Sequence, residues 1–337
     1  MSSLMHRWQS PAFGRQHLQL AAAPVPAPGP RDVLVRVDAV ALNYRDLLVL
    51  HDGMGMAVPF PLVPGSDMRG EVVETGADVT DFAPGDAVIS TFFTGWQDGR
   101  QPRGSVPLGV PGPGMLSEYV VLGADSLVAA PRTLDAAPAS TLTCAGLTAW
   151  YALADASTTR PGDTVVVIGT GGVALFAVQI AHAQGARVIV VSGSDDKLER
   201  AKRLGAHDGI NRTRTPDWAA DVRALTGGRG ADHVLELAGV DNFERSLSSL
   251  VQGGRVSVIG NLGGDALTTS VYPLLTGRVT VQGIGVAHRR ALEDLVRAVD
   301  WLKLKPVIER EYAFDALPAA LDHLERGAFG KVVVRLR

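Results

Sequence analysis

The stretch that most constrains this chain is Asp163–Ala181, Asp-Thr-Val-Val-Val-Ile-Gly-Thr-Gly-Gly-Val-Ala-Leu-Phe-Ala-Val-Gln-Ile-Ala. Val165–Ile168 is a continuous β-branched run, the pattern of a strand buried on both faces of a parallel sheet. Gly169, Gly171 and Ala174 follow as G-x-G-x-x-A. The first glycine suits a tight turn, the second lets the backbone approach a pyrophosphate, and a small third residue lets helix pack on strand. Ala177, Val178, Ile180 and Ala181 then repeat at helical spacing, and Gly185 is placed to stop the helix. Amides at the start of that helix, from Gly172 and Val173 onward, would face bound phosphates. In a chain with 38 glycines the motif alone says little. Its context says more, because Arg187–Val191 reads as a second apolar strand and Asp195–Leu204 as a helix. Strand, turn, helix and strand together favour a dinucleotide site over an incidental turn.

A length of 337 residues suggests two domains. A hydrophobic fraction of 46% supports packed cores, and a formal charge of −3 argues against a nucleic-acid or anionic-membrane surface. No apolar stretch approaches the ~20 residues of a membrane span. Residues 1–10 lack the apolar core of a secretory signal, so the expected location is cytoplasmic. One cysteine excludes an intramolecular disulfide framework and any multi-cysteine zinc site.

Ahead of the dinucleotide motif, Leu18–Leu20, Asp32–Val40, Gly70–Glu74 and Asp86–Ser90 read as short strands with Gly/Pro punctuation, and Ala41–Leu50 as a short helix. This is the texture of a partly open β-barrel or sandwich. Residues 95–114 form a long Gly/Pro-rich loop of the kind that often serves as a lid. Beyond Thr133 helices and strands alternate. His233–Leu237, Arg255–Ile259 and Val279–Val286 are strands, and Val240–Leu250 is a helix between two of them. Arg290–Leu304 is an amphipathic helix, Leu317–Arg326 another, and Lys331–Leu336 a terminal strand. The expected plan is a β-rich domain over 1–135, completed by 287–337, around a doubly wound parallel-sheet domain over 136–286.

Several segments, in order, carry a resemblance: Ala41-Leu-Asn-Tyr-Arg-Asp46, Val63-Pro-Gly-Ser-Asp67 with Gly70-Glu-Val-Val73, Pro84-Gly-Asp-Ala-Val88, Gly114-Met-Leu-Ser-Glu-Tyr119, Ala145-Gly-Leu-Thr-Ala149, Gly169-Thr-Gly-Gly-Val173 and Phe329-Gly-Lys-Val-Val333. Over essentially its whole length the chain resembles a medium-chain dehydrogenase/reductase. The resemblance implies an α/β fold of a GroES-like catalytic domain and a Rossmann domain, usually as a dimer or tetramer, with a homodimer through Val279–Val286 expected here.

Zinc-dependent alcohol dehydrogenases of that superfamily hold the catalytic metal with a Cys, a His and a later Cys or Asp. Here Asn43, Ser66 and Cys144 stand at those positions. Amide and hydroxyl are poor zinc ligands beside thiolate and imidazole, and the 95–114 loop lacks the cysteines of the structural zinc lobe. No metal is expected, and Cys144 is expected to be a small buried residue. The chain then resembles the zinc-independent quinone oxidoreductase and enoyl reductase branch. The tyrosine such reductases often offer as proton donor falls near Met54 here, and the alcohol dehydrogenase proton relay falls at Arg45 and Leu48, so neither role transfers.

Cofactor choice turns on the end of the second Rossmann strand, where an acid would bind the NAD ribose. Ser192 stands there, followed by Gly193-Ser-Asp-Asp-Lys197. Resemblance to NADP-dependent quinone reductases places Ser192, Ser194 and Lys197 on a 2′-phosphate, and NADP(H) is the expected cofactor. The competing reading makes Ser194 a helix cap and Lys197 a solvated face residue. Thr148, Ala238, Gly239, Gly260, Asn261 and Leu262 match further cofactor contacts, with Lys331 either a cofactor contact from the tail or a plain surface strand residue. Asn43, Tyr44 and Arg45 are the catalytic candidates: Asn43 for hydrogen bonding a carbonyl or the nicotinamide ribose, Tyr44 for donating a proton to an enolate, and Arg45 for stabilising its charge. The competing readings pack Tyr44 in the core and pair Arg45 with Asp46 or Asp67. Phe92, Phe93, Trp96, Met54 and Met56 would line an apolar acceptor pocket. The expected reaction is metal-free hydride transfer from NADPH to a quinone or α,β-unsaturated carbonyl. The alternatives are an alcohol or aldehyde dehydrogenase, or an NADPH-binding sensor with little catalysis.

Overall fold

The computed structural model describes residues 4–260, 264 and 266–337. The chain divides into two compact units, Met1–Leu147 with Val286–Arg337, and Thr148–Gly285. Residues 136–147 belong to the first unit, whereas their helical texture had placed them with the second. Helix Ala136–Ser140 packs Ala137 against Ala39, Ala41 and Val333, which is why contacts assign it there.

In chain order the first unit opens with β1 (Leu4–Gln9) paired antiparallel to β2 (Gln19–Pro24). Then come β3 (Asp32–Leu42), β4 (Asp67–Thr75), β5 (Ala87–Ser90), β6 (Tyr119–Gly123) and β7 (Leu127–Ala129). The second unit holds β8 (Thr164–Ile168), β9 (Arg187–Ser192), β10 (Asp208–Asn211), β11 (Ala231–Glu236), β12 (Leu250–Val258) and β13 (Thr280–Gly283). The chain returns to the first unit for β14 (Ile308–Ala313) and β15 (Lys331–Arg335).

The large sheet of the first unit runs β14-β15-β3-β4-β5-β7, with β6 also on β3. Its pairings are antiparallel except β14–β15. Alternation along β3 sends Val33, Val35 and Val37 into a core shared with Met68, Val72, Val88 and Val332, while Arg36 and Asp38 stay partly exposed. Helix Tyr44–Asp52 starts where β3 ends and buries Leu47, Val49 and Leu50. The 95–114 loop is tied down rather than hanging free: Thr94 N–H donates to Val106 O, Leu108 N–H to Phe92 O, and Arg289 N–H to Trp96 O, at 2.9, 2.9 and 3.0 Å.

The second unit is a six-stranded parallel sheet in the order β10-β9-β8-β11-β12-β13. In sequence terms this is 3-2-1-4-5-6, the doubly wound dinucleotide order. All five residues of β8 are buried, as the continuous apolar run requires. Among the described residues no helix is long and apolar enough to cross a membrane.

Candidate active site and cofactor cradle

Within the first unit, the join between β3 and helix Tyr44–Asp52 assembles a buried polar cluster. Asn43 is the helix N-cap, and the Asp46 carboxylate reaches back to accept its backbone N–H at 2.8 Å. The Asn43 side chain is used elsewhere. Strand β15 lies antiparallel to β3 with Val332 opposite Leu42, so Lys331 arrives beside Asn43. Lys331 Nζ donates to Leu42 O at 2.5 Å and to Asn43 Oδ1 at 2.6 Å. Asp67, at the start of β4, accepts from Ser66 Oγ at 2.6 Å and from Cys144 N–H at 3.1 Å.

Lys331, Asp46 and Asp67 are 4%, 1% and 0% exposed, so their charges act in a medium of low polarity. Burial pushes the Asp46 carboxyl up to about 6 against the opposing pull of Arg45. Burial also raises Asp67, while Lys331, Ser66 and the Asn43 amide lower it. The Asn43 amide closes no hydrogen bond of normal geometry through Nδ2, and Asp46 Oδ1 is likewise without a partner. Burial and the neighbouring Asp67 charge drive the Cys144 thiol up to about 12, so it is a neutral thiol.

The donor set does not suit zinc. Asn43, Ser66 and Cys144 bring a carboxamide, a hydroxyl and a protonated thiol, and the carboxamide oxygen already holds an ammonium. Among the described residues no three His, Cys, Asp or Glu side chains are grouped to hold a metal ion.

Two catalytic candidates fare differently from Asn43. Arg45 donates to Leu108 O at 3.0 Å and Val110 O at 3.4 Å, and stacks over the Phe92 ring 5.0 Å from its centroid. These bonds tie its guanidinium to the 108–110 segment. Tyr44 is 46% exposed, and its hydroxyl has no partner among the described residues. Phe92, Phe93 and Trp96 pack edge to face at 4.8 and 5.6 Å. Met56 joins the barrel core while Met54 is 43% exposed, so these five side chains do not form one pocket wall.

In the second unit, helix Gly172–Ala183 begins directly after β8 with no side-chain cap at Gly171. The first turn of a helix leaves its amides unbonded, which frees those of Gly172 and Val173 for an anion. Gly169 has φ +98°, a conformation that glycine alone adopts without strain, and a Cβ built on Gly171 would meet nothing within 4 Å. Open space in front of uncapped amides fits a pyrophosphate. At Gly260 a Cβ would lie 1.9 Å from Leu237 O, so only glycine lets the turns after β11 and β12 approach. Buried Glu236 shapes the first of these turns, accepting from Ala238 N–H, Gly239 N–H and Ser246 Oγ at 2.9, 3.0 and 2.6 Å. Thr148 is buried; Asn261 and Leu262 lie outside the described residues.

Ser192 ends β9 and is buried. Ser194 caps helix Asp195–Lys202, its Oγ accepting from Lys197 N–H at 3.4 Å. The capping role read from sequence is therefore present, and it leaves the hydroxyl proton free to donate. Asp195 is held by Asn211 Nδ2 at 2.8 Å and by Arg214, which masks the charge that would repel a phosphate. Sequence reading overlooked Arg212. Its Nε and Nη2 lie 3.8 Å from where a Gly193 Cβ would be, and it is exposed with no partner among the described residues.

A doubly wound sheet with an uncapped glycine turn, joined in one chain to a barrel-like unit bearing a buried polar site, defines an NAD(P)-dependent oxidoreductase. Comparison with known proteins agrees. Residues 172–302 match the zinc-binding dehydrogenase family and 29–132 the alcohol dehydrogenase GroES-like domain. A zinc-type alcohol dehydrogenase-like protein of Schizosaccharomyces pombe is 37% identical, with 91% of each chain covered. A crystal structure from Sinorhizobium meliloti 1021, described as a candidate alcohol dehydrogenase, is 55% identical, with 100% of each chain covered and a TM-score of 0.96. An acryloyl-coenzyme A reductase of Sulfurisphaera tokodaii is 28% identical, covering 95% of this chain and 97% of its own. The chain belongs to the zinc-type alcohol dehydrogenase family of medium-chain dehydrogenases/reductases.

Proposed function

We propose that this family member is an NADPH-dependent reductase that transfers hydride, without a metal, to an α,β-unsaturated carbonyl or a quinone. One observation carries the reading. Where the family's zinc ligands would stand, Asn43, Ser66 and a neutral Cys144 surround an ammonium and two carboxylates. Oxidation of an unactivated alcohol needs strong stabilisation of an alkoxide, which zinc supplies as a Lewis acid. An activated alkene or quinone needs less, because its own carbonyl delocalises the charge. The nicotinamide supplies hydride. For an enone, hydride adds to the β-carbon and a proton to the α-carbon. For a quinone, two electrons and two protons give the hydroquinone.

In this reading the uncapped helix at Gly172 and Val173 holds the pyrophosphate. Ser192, Ser194, Lys197 and Arg212 take the 2′-phosphate, and Thr148, Ala238, Gly260, Asn261 and Leu262 contact the rest of the cofactor. Asn43 hydrogen-bonds the acceptor carbonyl and Tyr44 is the proton donor candidate. The acryloyl-coenzyme A reductase name of one relative supports an activated alkene as acceptor. A second reading, alcohol dehydrogenation with NAD, is favoured by relatives named NAD-dependent alcohol dehydrogenase. The protein is further proposed to be a homodimer, formed through the exposed edge of β13 and the neighbouring helix Val271–Gly277, where Tyr272 is 73% and Leu275 70% exposed.

The test is NADPH and NADH oxidation by purified protein against an enone, a quinone and an aldehyde, each with and without a chelator. Enone or quinone turnover with NADPH preferred and no chelator effect is expected. Aldehyde turnover alone, or chelator-sensitive activity, would establish the second reading.

A further inference from the structure

Two turns on one side of the switch point of the parallel sheet hang on a single residue. In the order β10-β9-β8-β11-β12-β13 the sheet reverses between β8 and β11, and a dinucleotide lies across the crevice at that point. The β8–β10 half carries the glycine turn and Ser192, which places the adenosine end there. The nicotinamide end then faces the turns after β11 and β12. Glu236 is the last residue of β11 and is 0% exposed. Its carboxylate accepts from Ala238 N–H and Gly239 N–H through Oε1 and from Ser246 Oγ through Oε2, and it forms no ion pair among the described residues. Its backbone carbonyl accepts from Ile259 N–H and Gly260 N–H, at 2.9 and 3.1 Å. Each turn thus gives this one residue two amides, and helix Phe243–Ser248 gives it a hydroxyl. Gly239, at φ +104°, turns its amide inward to the carboxylate rather than outward to a ligand.

We propose that Glu236 is a positioning residue for the nicotinamide half of the cofactor: its side chain is spent within the protein and fixes the turns that meet the ligand. The carboxylate serves as an acceptor of two neighbouring amides, not as a charge. A glutamine oxygen can take both amides while its NH2 donates to Ser246 Oγ, since a hydroxyl also accepts. Alanine leaves two buried amides and a hydroxyl without an acceptor, so the turn must open to water or rearrange. This inference deepens the dinucleotide site proposed above and rests on it. It is independent of the choice between NADPH and NADH and of the metal-free reading.

The experiment titrates wild type, Glu236→Ala, Glu236→Gln and Ser246→Ala with NADPH and with 2′,5′-ADP, which carries the adenosine end and no nicotinamide. Wild type is titrated first with NADPH and NADH. Tighter NADH binding would overturn the cofactor choice alone, and NADH and ADP would then replace the two probes; binding of neither dinucleotide would overturn the nucleotide site and this inference with it. Glu236→Ala is expected to weaken NADPH binding about tenfold and 2′,5′-ADP binding less than about threefold. Glu236→Gln is expected to hold NADPH within about threefold of wild type. Should Glu236→Ala not fold, Ser246→Ala still reports: it removes one of the three donors and is expected to weaken NADPH about threefold with 2′,5′-ADP unchanged. Equal weakening of NADPH and 2′,5′-ADP would make Glu236 a support of the whole unit and overturn the proposal. Unchanged NADPH binding in the alanine variants, or Glu236→Gln as damaging as Glu236→Ala, would overturn it as well.

Discussion

Replacing Arg212 by alanine probes cofactor choice at the point where sequence was least informative. The guanidinium lies against Gly193, between the Ser194 cap and the end of β10, and has no partner among the described residues. A hydrogen bond to a charged group contributes about 1.5–3 kcal/mol, and an exposed guanidinium sits at the low end of that range. A loss of about 1.4 kcal/mol is a tenfold change in Kd. Arg212→Ala is therefore expected to weaken NADPH binding about tenfold and leave NADH binding unchanged, since NADH lacks the 2′-phosphate. Nicotinamide fluorescence titration at low and high salt measures both. Added salt should weaken NADPH binding to wild type more than to the variant. Equal weakening of the two cofactors would mean that Arg212 supports the fold of the β9–β10 edge and nothing more. No change in either would remove it from the site.

At Gly169, alanine forces a side chain onto φ +98°, at a strain cost of about 1–3 kcal/mol; both the melting temperature and NADPH affinity should fall, and a normal melt would contradict the turn geometry. Asp46→Asn tests buried charge. Because the folded carboxyl is raised from 3.8 to about 6, wild type loses stability as pH rises through that window and then stays level, by about 3 kcal/mol in all. Urea unfolding should show Asp46→Asn gaining on wild type between pH 4 and 6, and parallel pH curves would refute the shift. If Tyr44 is the proton donor, Tyr44→Phe lowers kcat about 10²-fold with NADPH binding intact, while an unchanged kcat assigns the proton to water. Val281→Lys puts a charge on the β13 edge and should convert a dimer to a monomer in sedimentation; an unchanged mass would place any interface elsewhere.

The Rossmann unit was the more legible half, because β8 and β9 are largely apolar runs and the glycine turn has local geometric requirements. Strands β10 and β14 escaped notice. Asp208-Gly-Ile-Asn211 is a polar edge strand with only Ile210 well buried, and Ile308–Ala313 buries no residue fully. Neither carries the period that sequence reading detects. The unit boundary was misplaced because Ala136–Ser140 looks like the start of alternation, and only packing against β3, β4 and β15 reveals its allegiance. The partners of Arg45 were illegible for a similar reason, since they are loop carbonyls 63 and 65 residues away.

The polar site shows where such reading stops in physical terms. Asn43 and Ser66 could be matched by position, and their side chains alone weaken a zinc assignment. Which charged group stands beside Asn43 depends on strand pairing. Lys331 and Asn43 are 288 residues apart and meet only because β15 runs antiparallel to β3 in one register. A slip of one residue would turn Lys331 to the opposite face of the sheet and take its ammonium away from Leu42 O and Asn43 Oδ1. The register of β15 on β3 therefore sets which charge reaches the site.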